Sequence, residues 1–354
     1  MIRRHLTPYG AEMNEKHFYR AQPFKCVLRI EILGVSGAVS SSNQGFERFL
    51  GDNYGPYRIT RNERTPVNAE IEVKFAAAGS ADERKWIDKA MERNPVRIGT
   101  CIWRGSDSVL YIYSPYCVEA RKTGDSIVVN SLFQMTKRFR IMRRSGTGEV
   151  LEHYHEMMGL CVHFPFFCLL QQKGYSVLHA SMAKRGGDGV LFMGLNGAGK
   201  TSAALSLAPN MTIAADNFVL YDGKKAFGYP ELIRVPPSTA ESLGLEGART
   251  LVYGKKQMKV AGEVDRGVVP RFCVIANIGR ENKWERISRD DAIRYIEAAD
   301  RFTHETHLYS YLAFLDWDEE VKRYPECDYY IVTMCGQEAA GRMIREKVGG
   351  ILGI

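Results

Sequence analysis

Residues 189–207 read GVLFMGLNGAGKTSAALSL. Inside them lies Gly194-Leu195-Asn196-Gly197-Ala198-Gly199-Lys200-Thr201, which matches G-x-x-x-x-G-K-[ST], the pattern of a phosphate-binding loop. The flanks fit. Residues 190–193 form a short apolar run, read as a buried strand, and residues 201–207 are read as the start of a helix. Strand, glycine-rich loop and helix are the context that such a loop requires. Glycines let backbone N–H groups wrap around phosphate oxygens, an approach that side chains at 197 and 199 would block. The helix start directs its positive dipole end at the same phosphates. Lys200 offers a mobile charge to the β- and γ-phosphates, and Thr201 offers a hydroxyl to Mg²⁺. Nucleotide contacts are therefore expected from Gly194, Asn196, Gly197, Ala198, Gly199, Lys200, Thr201 and Ser202, with ATP and Mg²⁺ as cofactors.

This motif begins past the middle of a 354-residue chain. The length fits two domains with cores large enough to fold without staples. A hydrophobic fraction of 45% and a charged fraction of 25% are those of an ordinary globular protein. The 8 cysteines form no C-x-x-C pair, so no zinc site is expected, and scattered thiols fit a reducing compartment. The first residues carry basic side chains with no apolar run behind them, unlike a signal peptide. The most apolar stretch, 157–170, is too short to span a bilayer and is interrupted by His163 and Pro165. A cytoplasmic protein without a membrane anchor is expected.

The charge is unevenly placed. Residues 1–175 hold 25 Lys+Arg against 18 Asp+Glu, and residues 176–354 hold 23 of each. The whole excess of +7 lies in the front half, densest at Lys137, Arg138, Arg140, Arg143 and Arg144. Such a cluster is either a solvated strand face or a surface for an acidic partner such as a peptide. No nucleic-acid motif accompanies it. The front half reads as mostly β, with strands at 24–33 and 69–75 and several short ones over 97–132. A polar stretch at 36–46, SGAVSSSNQGF, reads as a loop, and 81–93 as a short helix. Residues 149–173 are helical in pattern, split at Pro165 and ended by Gly174. Two domains follow: 1–147, β-rich, with an acceptor-binding or oligomerisation role, and 148–354, carrying the loop.

Asp216 ends the strand read at 211–215, only 16 residues after Lys200. One short helix between loop and acid would set two strand tips side by side, with Asp216 at the γ-phosphate. The chain lacks the L-S-G-G-Q stretch of a transporter-type ATPase. It also lacks N-K-x-D, and no D-x-x-G follows the loop as a GTPase requires; the string nearest to N-K-x-D, Asn282-Lys283-Trp284-Glu285, ends in the wrong acid.

Taken together, SVLHASMAKRGGDGVLFMGLNGAGKTSAALSL and the following IAADNFVLYDG resemble the HPr kinase/phosphorylase family and the wider set of HPr-kinase-like proteins, relatives of the ATP-dependent phosphoenolpyruvate carboxykinases. The likeness covers about residues 175–235. It implies an α/β P-loop kinase domain of that type behind the β-rich front domain. It further implies that Lys200 binds phosphate, that Thr201 binds the metal, and that Asp216 is general base and touches the metal. His179 would stand close to that acid, and Glu231, in GYPELIRV, would help to hold the metal. Where the family has a second acid this chain has Asn217, which brings no charge to Mg²⁺ and puts reverse, phosphorolytic activity in doubt. Since the position already works uncharged, Asn217→Asp is expected to be mild. The implied reaction is transfer of the γ-phosphoryl of ATP to a hydroxyl, foremost a serine of a protein or peptide, such as a ribosomal peptide precursor. A small-molecule kinase acting on a polyol or amino acid, and a nucleotide-dependent regulator without catalysis, stay open. A homo-oligomer is compatible with each.

Overall fold

The computed structural model of the chain describes residues 26–54, 60–61, 69–78, 80–98, 101–113, 116–134, 147–208, 210–242, 249–250, 255–258, 266–304 and 323–353. The basic cluster at 137–144 lies outside the described residues, as does 307–322, whose sequence pattern reads as a helix. The chain is mixed α/β and divides into two compact units, the main division falling between Leu170 and Gln171. No helix among the described residues is long and apolar enough to cross a membrane.

The front unit is β-rich. Its elements are β1 (Cys26–Ile32), β2 (Val35–Ser41), α1 (Gln44–Tyr54), β3 (Thr60–Arg61), β4 (Ile71–Ala78), α2 (Ser80–Arg93), β5 (Val96–Arg97), β6 (Ile102–Arg104), β7 (Ser108–Tyr113), β8 (Tyr116–Thr123), β9 (Ser126–Gln134), α3 (Thr147–Met158) and α4 (Phe164–Gln172). The nine strands form one sheet in the order β3-β1-β2-β4-β9-β8-β7-β6-β5. The pairs β2–β4 and β4–β9 are parallel, and the β5-to-β9 run is an antiparallel meander.

The stretch expected to be a loop at 36–46 is instead β2 and the opening of α1. Small residues suit this strand because a ring packs onto it: a Cβ at Gly37 would lie 2.7 Å from Phe166 Cζ. Asn43 then starts the helix, its Oδ1 accepting from the backbone N–H of Gly45 at 2.9 Å and of Phe46 at 3.1 Å. The same oxygen accepts the hydroxyl of Tyr154 in α3 at 3.0 Å. Phe46 in turn stacks on Phe75 at 4.0 Å and meets Tyr154 at 5.5 Å.

These contacts explain why the units divide at 170 rather than at 147, where the sequence reading put the boundary. The buried apolar side chains within 154–170 complete the front core. Pro165 does not split the helical run into separate pieces. A π-turn at Gly159–His163, in which Phe164 N–H donates to Gly159 O, joins α3 to α4. The wider turn accommodates a ring that cannot donate and that crowds the preceding carbonyls. Gly174, at φ 88°, ends the run as expected, its N–H donating to Gln171 O at 2.8 Å.

One polar network pins α2 to the meander. Glu119, fully buried in β8, accepts a two-pronged contact from Arg93, at 2.9 Å from Nε and 2.7 Å from Nη2. Asn94 Nδ2 adds a third donor at 3.1 Å. The carboxylate raises the Arg93 pKa. Arg93→Ala removes two of these donors from a buried charge. The half-exposed arginine places the expected loss at the low end for buried pairs, about 2–3 kcal/mol by urea denaturation. Arg93→Lys should recover only part of it, since an ammonium cannot make the fork.

The back unit contains β10 (Ser176–Leu178), β11 (Ala180–Arg185), β12 (Asp188–Met193), α5 (Lys200–Leu205), β13 (Thr212–Ala215), β14 (Val219–Tyr221), β15 (Ala226–Gly228), β16 (Ile233–Val235), α6 (Pro237–Ser242), β17 (Arg249–Thr250), β18 (Lys256–Met258), β19 (Val269–Ile278), β20 (Lys283–Ile287), α7 (Arg289–His304), β21 (Asp328–Met334) and α8 (Gln337–Leu352). Its main sheet runs β13-β11-β12-β19-β21-β20, with β12, β19 and β21 mutually parallel. Strand β12 is buried on both faces. Val190 and Phe192 pack with Ala203 and Ala204 of α5 and Ile344 and Val348 of α8. Leu191 and Met193 pack with Ala292 and Ile296 of α7. Ser288-Arg289-Asp290-Asp291 reads in the sequence as a capping box, and Ser288 opens α7, its Oγ accepting from Asp291 N–H at 3.1 Å.

Two expectations are corrected here. The stretch 175–184, YSVLHASMAK, reads in the sequence as one strand but is not one. It breaks at His179, with β10 in a separate three-stranded sheet, β10-β14-β15, and β11 in the main sheet. The tips of β12 and β13 are not side by side either, because β11 lies between them. The tight turn at Gly186-Gly187 closes a β11–β12 hairpin first, from Arg185↔Asp188 to Ala180↔Met193, and β13 then adds to the outer edge of β11. Strand β20, KWERI, was not anticipated, although it alternates polar and apolar side chains and pairs antiparallel with β21.

Candidate active site

The glycine-rich loop leaves the C-terminal end of β12, next to β19 in the sheet, and its glycines approach the ends of β19 and β21. Two of its glycines are demanded by close approach as well as by backbone conformation. Gly194 sits at φ 130°, and a Cβ there would fall 2.6 Å from Ala276 O of β19. Gly199 sits at φ 90°, and a Cβ there would meet Met334 Cε of β21 at 2.8 Å. Gly197, at φ 80°, faces open space, so its requirement is conformational. Leu195, Asn196 and Gly197 are exposed at the tip, while Ala198 is buried and donates its N–H to Leu195 O at 3.1 Å.

Helix α5 begins at Lys200, Gly199 O accepting from Ala203 N–H at 2.8 Å. It is only six residues long, so its dipole would add little, and any anion binding would fall to the loop's own N–H groups and Lys200. Lys200 is 7% exposed and folds back on the loop, its Nζ donating to Gly194 O at 2.9 Å and Leu195 O at 3.0 Å. Ser202 is partly exposed on the first turn.

Despite the intervening strand, Asp216 reaches the loop. Its Oδ1 accepts two hydroxyls, from Thr201 at 2.7 Å and from Ser181 of β11 at 2.6 Å. Its Oδ2 lies 3.5 Å from Arg234 N. The carboxylate is 6% exposed. The sheet geometry explains the meeting. Leu178 pairs with Val219 in the small sheet, and Met182 pairs with Ala215 in the main sheet. His179, just before β11, and residues 216–218 are therefore neighbouring points at which the chain passes from one sheet to the other, with Ser181 just inside β11. His179 is partly buried, its ring 6.3 Å from that of Phe218.

A second layer adjoins Asp216. Asn217, at φ 73°, donates its Nδ2 to Glu231 Oε2 at 3.0 Å. Asparagine tolerates this left-handed conformation better than most side chains. Glu231 is 2% exposed, and its other oxygen, Oε1, accepts from Arg234 Nη2 at 2.5 Å. Both oxygens of Glu231 are thus engaged within this layer, and Arg234 links it to Asp216. Ser181 and Arg234 were missed in the sequence. A hydroxyl in the apolar run of β11, where Ser181 is fully buried, must find a partner, and that was the available signal.

Asn217 therefore acts as a donor, and Asn217→Asp is expected to cost stability, separately from the mild effect on phosphoryl transfer expected of it. The change sets one buried carboxylate against another and removes the amide hydrogen. One of the two acids should take up a proton at neutral pH. A carboxyl pKa raised in the folded state lowers stability above the ordinary carboxylate range, and stability returns as pH falls through the raised value. Thermal melts of Asn217→Asp should show a deficit of about 1–3 kcal/mol at pH 7.5 that narrows at pH 5. A deficit independent of pH would contradict this.

The oxygen set of Thr201, Ser181 and Asp216 suits a hard divalent cation, and sulfur and imidazole are absent from it. Three or more acidic, histidine or cysteine side chains do not cluster as a metal site among the described residues, so any Mg²⁺ here would need phosphate and water for the rest of its shell. No family model matches the chain, and no curated protein matches it.

Proposed function

We propose that the chain is an ATP-dependent kinase of the HPr-kinase-like type, transferring the γ-phosphoryl group to the hydroxyl of a serine in a protein or peptide. The observation that carries the reading is the 2.7 Å hydrogen bond from Thr201 Oγ1 to Asp216 Oδ1. It joins the last residue of the loop motif to the acid that spacing and resemblance single out as the base.

In this reading the loop N–H groups bind the phosphates, and Lys200 turns from the carbonyls of Gly194 and Leu195 to the β- and γ-phosphates. Thr201 and Asp216 would hold Mg²⁺, which when bound neutralises charge on the phosphate oxygens. Asp216 orients the acceptor hydroxyl and takes its proton. Ser181 holds the carboxylate in place, and the Asn217–Glu231–Arg234 layer fixes the strand end that bears it. The rest is positioning, which is most of what phosphoryl transfer asks of a protein. The front unit would orient the acceptor, its basic residues 137–144 drawing in an acidic peptide. A small-molecule acceptor is the second reading, and nothing in the described residues favours it.

Acceptor choice is tested by phosphate release and transfer from labelled ATP with a peptide pool and, separately, with polyols and amino acids. Peptide labelling whose KM rises with salt fits the proposal. Labelling of small molecules alone would replace it with the second reading.

A further inference from the structure

Cys273 and Cys327 are 54 positions apart in the chain, yet their sulfurs meet at 3.6 Å in the back unit. Both are free thiols; Cys273 is buried and Cys327 is partly exposed. The sheet brings them together. Strands β19 and β21 run parallel, their register starting at Phe272↔Asp328 and Cys273↔Tyr329. Cys327 comes one residue before that register begins and two before Tyr329. It therefore arrives on the face that Cys273 shares with Tyr329. The bend that carries Cys327 is tied to the start of α7. Arg289 Nη2 donates to Tyr324 O at 3.3 Å and pairs with Glu326 Oε1 at 2.9 Å.

We propose that Cys273 and Cys327 form a site of reversible oxidation, which reacts with a low-molecular-weight disulfide and closes to an internal disulfide. The two thiols have unequal roles. Cys327 is the one that a reagent in solvent can reach. Burial pushes the Cys273 thiol up, with the Arg289 guanidinium acting against it, so the first attack falls to Cys327. Cys327 Sγ gives its proton to solvent and attacks one sulfur of the small disulfide. A mixed disulfide forms, and the small thiolate that leaves takes up a proton. Cys273 Sγ then loses its proton and attacks Cys327 Sγ. The internal bond forms, and the second small thiolate leaves and is protonated. Two cysteine thiols are oxidised, one small disulfide is reduced to two thiols, and the two protons lost match the two taken up. Contact between the sulfurs makes the second step intramolecular, which favours it over a lasting mixed disulfide. Since Cys327 stands outside the strand register, the bend can supply the movement that an S–S bond of about 2.05 Å requires.

The test follows each sulfur separately. The folded full chain is incubated with oxidised glutathione, alkylated, digested without reduction and mapped by mass spectrometry, with the exposed Cys335 as the reference site. The expected product is a peptide linked through Cys273 and Cys327. Glutathione on Cys327 should lie about tenfold or more below that on Cys335, and dithiothreitol should return both thiols. Cys273→Ser removes the second attack, so Cys327 should then hold glutathione within about twofold of Cys335. A lasting adduct on Cys327 in the unaltered chain would overturn the inference. So would modification of Cys335 with neither adduct nor link at Cys327, or a Cys327 adduct that stays low in Cys273→Ser. If Cys273→Ser is unfolded by circular dichroism, the linked peptide in the unaltered chain decides alone.

Discussion

Asp216→Asn should bind Mg-ATP within about tenfold of the unaltered protein and lose phosphoryl transfer by on the order of 10² or more, the scale of general-base catalysis. The substitution is nearly isosteric. An amide oxygen can still accept the hydroxyls of Thr201 and Ser181, which now reach Oδ1 at 2.7 and 2.6 Å. The strand end should therefore keep its place, and the loop, which is built on β12, β19 and β21, is not touched. What disappears is the charge that, in the kinase reading, would accept a proton and help to hold the cation. Steady-state transfer assays with a thermal-shift titration of Mg-ATP separate the two effects. Equal losses in binding and in transfer would mean that Asp216 supports the loop rather than the chemistry. Normal transfer would remove it from the mechanism.

The loop, its flanking strand and the acid were legible in the sequence because each depends on local pattern: glycines where φ is positive, an apolar run buried on both faces, and a fixed spacing. Strand order was not legible. That Asp216 reaches Thr201 although β11 lies between β12 and β13 depends on a hairpin closing at Gly186-Gly187 and on a chain that changes sheet at His179, and both are tertiary outcomes. Ser181 and Arg234 were hidden for the same reason, since their roles exist only once 179–181 and 216–218 lie together. In the front unit SGAVSSSNQGF misled because a polar, small-residue run looks like a loop unless the ring that packs on Gly37 is known. Asn217 looked like a missing charge and is a donor to a buried carboxylate.

Lys200→Ala should abolish nucleotide-induced stabilisation while leaving the fold intact. Saturating Mg-ATP, at about 100 times its Kd, stabilises a folded protein by about 2.7 kcal/mol, and the variant should gain close to none. Its own cost should be small. The ammonium leaves two carbonyls, of which that of exposed Leu195 turns to water and that of buried Gly194 loses a partner, for about 1 kcal/mol. Differential scanning fluorimetry with and without Mg-ATP reads both numbers. Equal stabilisation of variant and unaltered protein would show that the nucleotide does not depend on this loop.

The most direct measurement is incubation of the protein with Mg²⁺, γ-labelled ATP and a cell lysate, followed by mass spectrometry of the labelled species. The kinase reading predicts phosphate on a serine hydroxyl of a peptide or protein, present with the unaltered chain and absent with Asp216→Asn. No labelled acceptor with the unaltered chain, or the same labelling with both chains, would contradict it.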